Sequence, residues 1–180
     1  EYRLLSGNQI GALLVWFVLE KRKDSLRPGD TIVKTIVTGE LGAKIAESYG
    51  VQVVNTLTGF KYIGEASVQF EKSGDRSFLM GYEESYGYLV GTHARDKDAV
   101  VSAMLMAELA AEAKNRGETL IDILNDLYAR YGTYSDALTT ITMPGERGMY
   151  EISAAMERFR QAGIGAMPEP CTLSDYQNGI

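Results

Sequence analysis

The sequence has very little cysteine and histidine. Cys171 is the only cysteine and His93 the only histidine among 180 residues. A lone cysteine cannot form an internal disulfide, so nothing indicates an oxidising compartment, and we expect a cytoplasmic protein. One histidine without a cysteine cluster also argues against a zinc site built from nitrogen and sulfur ligands. We therefore predict no metal-binding residues in this chain.

Long apolar runs and clustered positive charge are missing as well. The longest apolar candidate, residues 10–19, is shorter than the roughly 18 to 20 residues that cross a bilayer, and we predict a core helix there. The formal net charge is -6, and the isoelectric point is near 4.9. Because nucleic acids and anionic membranes attract clustered lysine and arginine, neither is an expected partner.

The chain does contain enough apolar sequence for a core, with predicted strands and helices in alternation. Ser6 and Gln9 have the spacing of a capping box that starts a first helix, which should end near 21–23. Further predicted helices are 39–49, 60–72, 98–113, one from 119, and 149–161; predicted strands are 31–38, 51–57, 77–80 and 137–143. This alternation predicts an α/β fold: a three-layer α/β/α sandwich with a mostly parallel mixed sheet of about four strands.

The segment GYEESYG, residues 81–87, follows the third predicted strand and carries the most chemical information. A carboxylate pair, a serine and flanking glycines can accept hydrogen bonds from sugar hydroxyls, and charge-assisted bonds are roughly twice as strong as neutral ones. In an extended segment Glu83 and Ser85 point the same way, so we predict these two as ligands and an orienting role for Glu84. The alternative is a solvated turn or a helix cap.

Basic residues follow this segment in HARDKD. Arg95 and Lys97 could neutralise a sugar phosphate or move a proton, although exposed basic side chains are usually only solvated. As a general base, Lys97 would need a pKa lowered from about 10.4, which neighbouring aspartates oppose. His93 could orient a ligand or cap a turn. Lys61, which follows the second predicted strand, could contact a ligand oxygen.

Three predicted loops follow strands, after residues 38, 57 and 80. In doubly wound sheets, ligands bind outside the carboxyl ends of the strands. We therefore expect the three loops to share one crevice. The segment TGELG at the first of them could bind an anion through free backbone amides, as a weak motif.

Five segments, in this order, resemble the α-D-phosphohexomutase superfamily in its glucomutase and mannomutase branch: GNQIGALL, KTIVTGELGAKIAESYGV, NTLTGFKYIGE, GYEESYGYLVG and HARDKDAVVSAML. The resemblance covers about 6–132 and implies the third domain of that family, which we place at 6–143. Residues 1–5 look like the last strand of the preceding domain, so the chain looks excised from a longer protein. Residues 144–180, with a helix and a linker containing Pro168 and Pro170, look like the approach to a fourth domain.

The resemblance implies an activity. Such enzymes interconvert 1-phospho and 6-phospho sugars through a phosphoserine, with Mg²⁺ beside it and a hexose 1,6-bisphosphate intermediate. It implies that Glu83 and Ser85 bind sugar hydroxyls, that Glu84 completes the loop, and that Lys97 is a candidate general acid/base. Further substrate-binding residues expected on this basis are Lys61, His93 and Arg95.

The sequence departs from the family pattern at one position and lacks three of its parts. Gly87 stands where some relatives have a histidine, so proton transfer would depend more on Lys97. The chain has no Ser-His-Asn-Pro nucleophile loop, no DGDxDR-like metal loop and no SGT phosphate loop. We therefore expect this chain alone to be inactive and to bind no Mg²⁺. A phosphopentomutase parent and a noncatalytic interaction module remain the alternatives.

Overall fold

The computed structural model describes residues 2–166, Ser174 and Tyr176. The chain divides into two compact units, Glu1–Asp136 and Ala137–Ile180. The predicted linker around Pro168 and Pro170 and the single Cys171 lie outside the described residues. The assignment of 1–5, 6–143 and 144–180 to successive domains of a longer enzyme stays a prediction.

The first unit contains a four-stranded sheet in the order β2-β1-β3-β4. Strand β1 runs parallel to β2 and β3, and β4 runs antiparallel to β3. This confirms the predicted mostly parallel mixed sheet. The strands are β1 Asp30–Thr35, β2 Gln52–Thr56, β3 Ser77–Glu83 and β4 Gly87–Val90. The helices of this unit are α1 Gly7–Arg22, α2 Leu41–Ser48, α3 Phe60–Ser73, α4 Ala99–Asn115 and α5 Leu120–Tyr131.

Helices cover both faces of the sheet, because neighbouring strand residues point to opposite sides. On one face, Ile32 packs in a cluster with buried residues of α1, α2, α4 and α5. On the other face, Val33 packs in a second cluster with α3 residues such as Phe60 and Ile63. The predicted three-layer α/β/α sandwich is therefore confirmed.

The helix starts follow local hydrogen-bonding rules. The predicted capping box of α1 is present: Ser6 accepts from the Gln9 amide, and the Gln9 side chain accepts from the Ser6 amide. Thr119 and Asp122 form a second capping box at α5. The second unit contains helix α6, Gly145–Ala162, which begins four residues before its predicted start. Within residues 2–166, no helix combines the length and apolarity needed to cross a membrane.

The strand predictions differ from the structure in two places. Strand β3 continues past Met80 to Glu83, and 87–90 form the fourth strand, because the chain folds back as a hairpin through a turn at 84–86. Residues 137–143 form no strand, although the run is rich in β-branched residues; Leu138 and Ile141 are exposed, and no strand pairs with them in the described chain. Residues 2–5 are not paired as a strand in the described chain, and their assignment to the last strand of a preceding domain stays a prediction.

Candidate functional site at the carboxyl edge of the sheet

Three loops meet where the parallel strands end. Since β2, β1 and β3 run in the same direction, the loops 57–59, 36–40 and 84–86 all leave one edge of the sheet. The backbone amide of Gly59 donates to Glu83 Oε1 at 3.1 Å. The Thr38 hydroxyl donates to Glu84 Oε2 at 3.1 Å. The loops therefore meet at one edge, as the sequence predicts.

Glu83 is the last residue of β3, and its side chain is only 6% exposed. One carboxylate oxygen accepts from Gly59, and the other lies 3.9 Å from Lys97 Nζ. Ser85, in contrast, is exposed in the turn at 84–86. The prediction that Glu83 and Ser85 point the same way assumed an extended segment, and that assumption was wrong because the turn intervenes.

Glu84 is held by the β1 loop. Its Oε2 lies 3.1 Å from the Thr38 hydroxyl and 3.4 Å from the Thr35 hydroxyl. The two threonine hydroxyls are 2.7 Å apart and buried. A carboxylate oxygen that accepts from a buried threonine hydroxyl has the geometry that an orienting role requires.

The turn at 84–86 has a strained backbone and close neighbours. Tyr86 has a φ of 66°, in the left-handed region that side chains disfavour. Its hydroxyl lies 3.4 Å from the Leu5 carbonyl oxygen. Gly87 follows the turn, where a Cβ atom would come 3.0 Å from both Glu83 Oε2 and the Lys97 side chain. A glycine there lets the carboxylate and the lysine approach the backbone closely.

Lys97 is half-exposed beside Glu83. Its ammonium lies 4.8 Å from the centroid of the Phe60 ring and 3.3 Å from Asp96 Oδ1. The hydrogen bonds from the Lys97 backbone amide and side chain lower the pKa of the Asp96 carboxyl. The structure therefore brings Glu83, Lys97 and an acidic neighbour together. The general acid/base role of Lys97 stays a prediction.

The other predicted ligands have local partners. His93 Nε2 lies 2.7 Å from Asp98 Oδ2. Arg95 donates to both carboxylate oxygens of Glu71, at 2.8 and 2.6 Å. The Lys61 ammonium lies 4.7 Å from the centroid of the Tyr62 ring. Within the described residues, no hydrogen bond, ion pair or ring contact joins these three side chains to Glu83, and their substrate-binding roles remain predictions.

Sequence reasoning missed a buried lysine at the site. Lys34, on β1, is 1% exposed. Its Nζ donates to the Thr38 carbonyl at 2.9 Å, to Glu40 at 2.8 Å and to the Thr35 carbonyl at 3.4 Å. The sequence contained one indication of this lysine. Lys34 lies inside the β-branched run TIVKTIVT, and the alternation of strands and helices predicts that this run is a strand covered by helices.

The described residues do not fit a Mg²⁺ site. Across 2–166, with Ser174 and Tyr176, no group of three or more Asp, Glu, His or Cys side chains could hold a metal ion. Mg²⁺ prefers several oxygen ligands in near-octahedral geometry. These residues can supply carboxylates that accept hydrogen bonds, hydroxyls that donate or accept them, and two ammonium groups, of which Lys97 lies beside Glu83 and Lys34 is buried against loop carbonyls and Glu40.

Comparisons with known proteins agree on one family. Residues 6–131 match the family model described as phosphoglucomutase/phosphomannomutase, alpha/beta/alpha domain III. The phosphoglucomutase of Staphylococcus epidermidis RP62A is 40% identical over 155 residues, which cover 86% of this chain and 28% of that protein. The phosphoglucomutase of Staphylococcus saprophyticus is 32% identical over 181 residues, which cover 99% of this chain and 33% of that protein. The chain thus spans about a third or less of the length of these relatives.

Solved structures support the fold. A crystal structure of a proposed phosphomannomutase from Thermus thermophilus matches with a TM-score of 0.53 and 25% identity, over 68% of this chain and 25% of that chain. The open form of parafusin, a phosphoglucomutase from Paramecium, matches with a TM-score of 0.54 and 18% identity, over 72% of this chain and 22% of that chain. Together with the family match over most of the sequence, these findings place the chain in the phosphoglucomutase/phosphomannomutase domain III family.

Proposed function

We propose that this chain is the sugar-recognition domain of an enzyme that interconverts 1-phospho and 6-phospho hexoses. The observation that carries the proposal is the hairpin turn at the carboxyl edge of the sheet. Glu83 is hydrogen-bonded to the loop after β2 and Glu84 to the loop after β1, while Ser85 between the strands is exposed. This edge is where ligands bind in open α/β sheets. The family membership of the chain supports a phosphosugar as the substrate.

Each side chain has a chemical role in this proposal. Glu83 uses one oxygen for Gly59 and keeps lone pairs on the other for a sugar hydroxyl. Ser85 can donate to or accept from a second hydroxyl. Lys97, 3.9 Å from Glu83, supplies positive charge beside the sugar and is the candidate general acid/base. Arg95, His93 and Lys61 would have to leave their present partners to reach a ligand.

The phosphoryl-transfer machinery belongs, in this proposal, to parts of a longer enzyme. The chain spans 28% to 33% of the curated relatives described above. A nucleophilic serine that becomes phosphorylated, Mg²⁺ and a hexose 1,6-bisphosphate intermediate are therefore assigned to the complete enzyme. The isolated chain would bind sugar weakly and would not turn it over.

One observation favours the second candidate, a noncatalytic interaction module. Glu83 is almost fully buried and already accepts a backbone hydrogen bond, as a purely structural carboxylate would. In that case Glu83 would stabilise the loops, and Ser85 would be an ordinary exposed turn residue. The two candidate functions therefore predict different kinetics for Glu83 and Ser85 variants that still fold.

The test uses the complete enzyme that contains this domain, with Ser85→Ala and Glu83→Gln compared with Glu108→Gln at an exposed position on α4. We expect the first two variants to lose roughly 10- to 1,000-fold in kcat/KM for glucose 1-phosphate, because each removes about 1.4 to 4 kcal/mol of substrate interaction. Thermal unfolding checks that folding persists. Unchanged kinetics for folded Ser85→Ala and Glu83→Gln would overturn the proposal and favour the interaction module.

Substrate preference is tested in the same enzyme. Rates on glucose, mannose, glucosamine and ribose phosphates separate a hexose mutase from a phosphopentomutase. The proposal expects hexose phosphates to react faster than ribose phosphates. The opposite order would assign the domain to a phosphopentomutase.

A further inference from the structure

We infer that Thr38 is a positioning residue for the turn that carries Ser85. The inference rests on the proposed sugar-recognition function and adds a residue that touches no substrate. It starts from the hydrogen bond between the Thr38 hydroxyl and Glu84 Oε2, which joins two loops separated by 46 residues along the chain.

The hydrogen-bond directions in this cluster follow from chemistry and distance. An ionised carboxylate can only accept, and the Thr38 hydroxyl, at 3.1 Å, is nearer to Glu84 Oε2 than the Thr35 hydroxyl, at 3.4 Å, so Thr38 gives its single proton to Glu84. The Thr35 hydroxyl, 2.7 Å from that of Thr38, then donates to Thr38. The result is a chain of bonds from Thr35 through Thr38 to Glu84. In a buried site such a chain is cooperative, since each bond polarises the next.

The backbone of Thr38 is fixed as well. Lys34 Nζ donates to the Thr38 carbonyl at 2.9 Å, and the Thr38 amide donates to the Thr35 carbonyl at 3.1 Å. Lys34 itself is 1% exposed and held by Glu40, so it has little freedom. The Thr38 hydroxyl is therefore presented to Glu84 from a rigid support.

Glu84 transmits this position to the ligand-facing residue. It lies directly between Glu83 and Ser85, and the turn allows only three residues between the paired strand ends. If the Glu84 carboxylate loses its anchor, the turn can shift and carry the Ser85 hydroxyl with it. A displacement of about 1 Å of a substrate-positioning group can cost up to roughly 100-fold in rate.

The test compares Thr38→Val with Thr38→Ser in the complete enzyme. Valine keeps the shape but removes the hydroxyl, whereas serine keeps it. Thr31→Val is the matched control, because Thr31 is also a buried threonine whose hydroxyl donates a hydrogen bond, to the Gly29 carbonyl at 2.8 Å, and it lies at the other end of β1, away from the turn at 84–86. We expect Thr38→Val to lose roughly 10- to 100-fold in kcat/KM for glucose 1-phosphate, with serine restoring most of it and Thr31→Val near wild type.

A second readout separates positioning from general destabilisation. Wild-type enzyme should discriminate between glucose 1-phosphate and at least one of its monodeoxy analogues, and Thr38→Val should reduce that discrimination as Ser85→Ala does. Glu84→Met, which keeps a similar side-chain length but removes the acceptor oxygens, provides the same measurement if Thr38→Val does not fold. Discrimination that Ser85→Ala abolishes but Thr38→Val and Glu84→Met leave intact would overturn the inference alone. Discrimination that Ser85→Ala leaves intact would overturn the proposed function and this inference with it.

Discussion

The carbonyl oxygen of Glu84 packs against Gly7 in the first turn of α1, and a Cβ atom at position 7 would lie 1.8 Å from this oxygen. Two non-bonded heavy atoms cannot approach this closely, and the Glu84 oxygen belongs to the backbone, so no side chain can rotate away to make room. The turn at 84–86 therefore packs against α1 only because residue 7 has no side chain.

Gly7→Ala is expected to destabilise the protein by about 1 to 3 kcal/mol, since either α1 or the turn must move. Chemical denaturation of the 180-residue chain measures the loss. Gly165→Ala is the matched control, because nothing lies within 4 Å of a Cβ atom built at Gly165. Equal stability of the two variants would contradict the close seating of the turn.

Lys34→Met tests the buried lysine. Methionine removes the charge, yet it leaves the Thr38 carbonyl without the donor that now lies 2.9 Å away. A buried acceptor without a partner costs about 1 to 3 kcal/mol, so we expect a loss of unfolding free energy in that range. Lys44→Met, at an exposed position on α2, is the control. If both variants unfold at the same denaturant concentration, the hydrogen bonds of Lys34 contribute nothing net to stability.

Asp98 makes stability depend on pH. The pKa of the Asp98 carboxyl is lowered below its ordinary value of 3.8. The main cause is the hydrogen bond with the His93 side chain, and the hydrogen bond from the Val101 amide is the second. A group whose pKa is lower in the folded state stabilises the protein above its unfolded pKa, and this contribution disappears as pH falls through the folded pKa. The difference in unfolding free energy between wild type and Asp98→Ala should therefore be largest above about pH 5 and shrink below about pH 4.

Denaturant titrations from neutral to acidic pH measure this difference. Asp24→Ala, on the exposed turn after α1, controls for the loss of one surface charge. A difference between wild type and Asp98→Ala that stays constant into strong acid would show that the charge of Asp98 does not stabilise the fold.

The sequence predicted the features that depend on local chemistry. The capping box of Ser6 and Gln9 needs only two residues three apart, and the alternation of β-branched and amphipathic segments indicates a parallel sheet with helices between strands. The meeting of three loops at one edge then follows from strand direction alone. These predictions required no knowledge of distant contacts.

The features that were missed depend on distant partners. Strand β4 has four residues and exists because it pairs with β3, as in the pair Met80 and Val90. Residues 137–143 have comparable β propensity but no strand beside them in the described chain. Similarly, Lys34 is stable in the core because loop carbonyls and Glu40 surround it, and no sequence pattern places those acceptors.

Under the proposed function, the isolated chain and a complete enzyme should respond differently to Mg²⁺. If Mg²⁺ and the phosphoserine belong to other parts of a complete enzyme, the 180-residue chain should not convert glucose 1-phosphate to glucose 6-phosphate. Its melting temperature should be the same with added Mg²⁺ and with EDTA, because a ligand stabilises a folded protein only when it binds to it. The complete enzyme should lose activity with EDTA and regain it with Mg²⁺. A melting temperature of the isolated chain that rises with Mg²⁺ would mean that it has a metal site of its own, contrary to the arrangement of its described acidic residues.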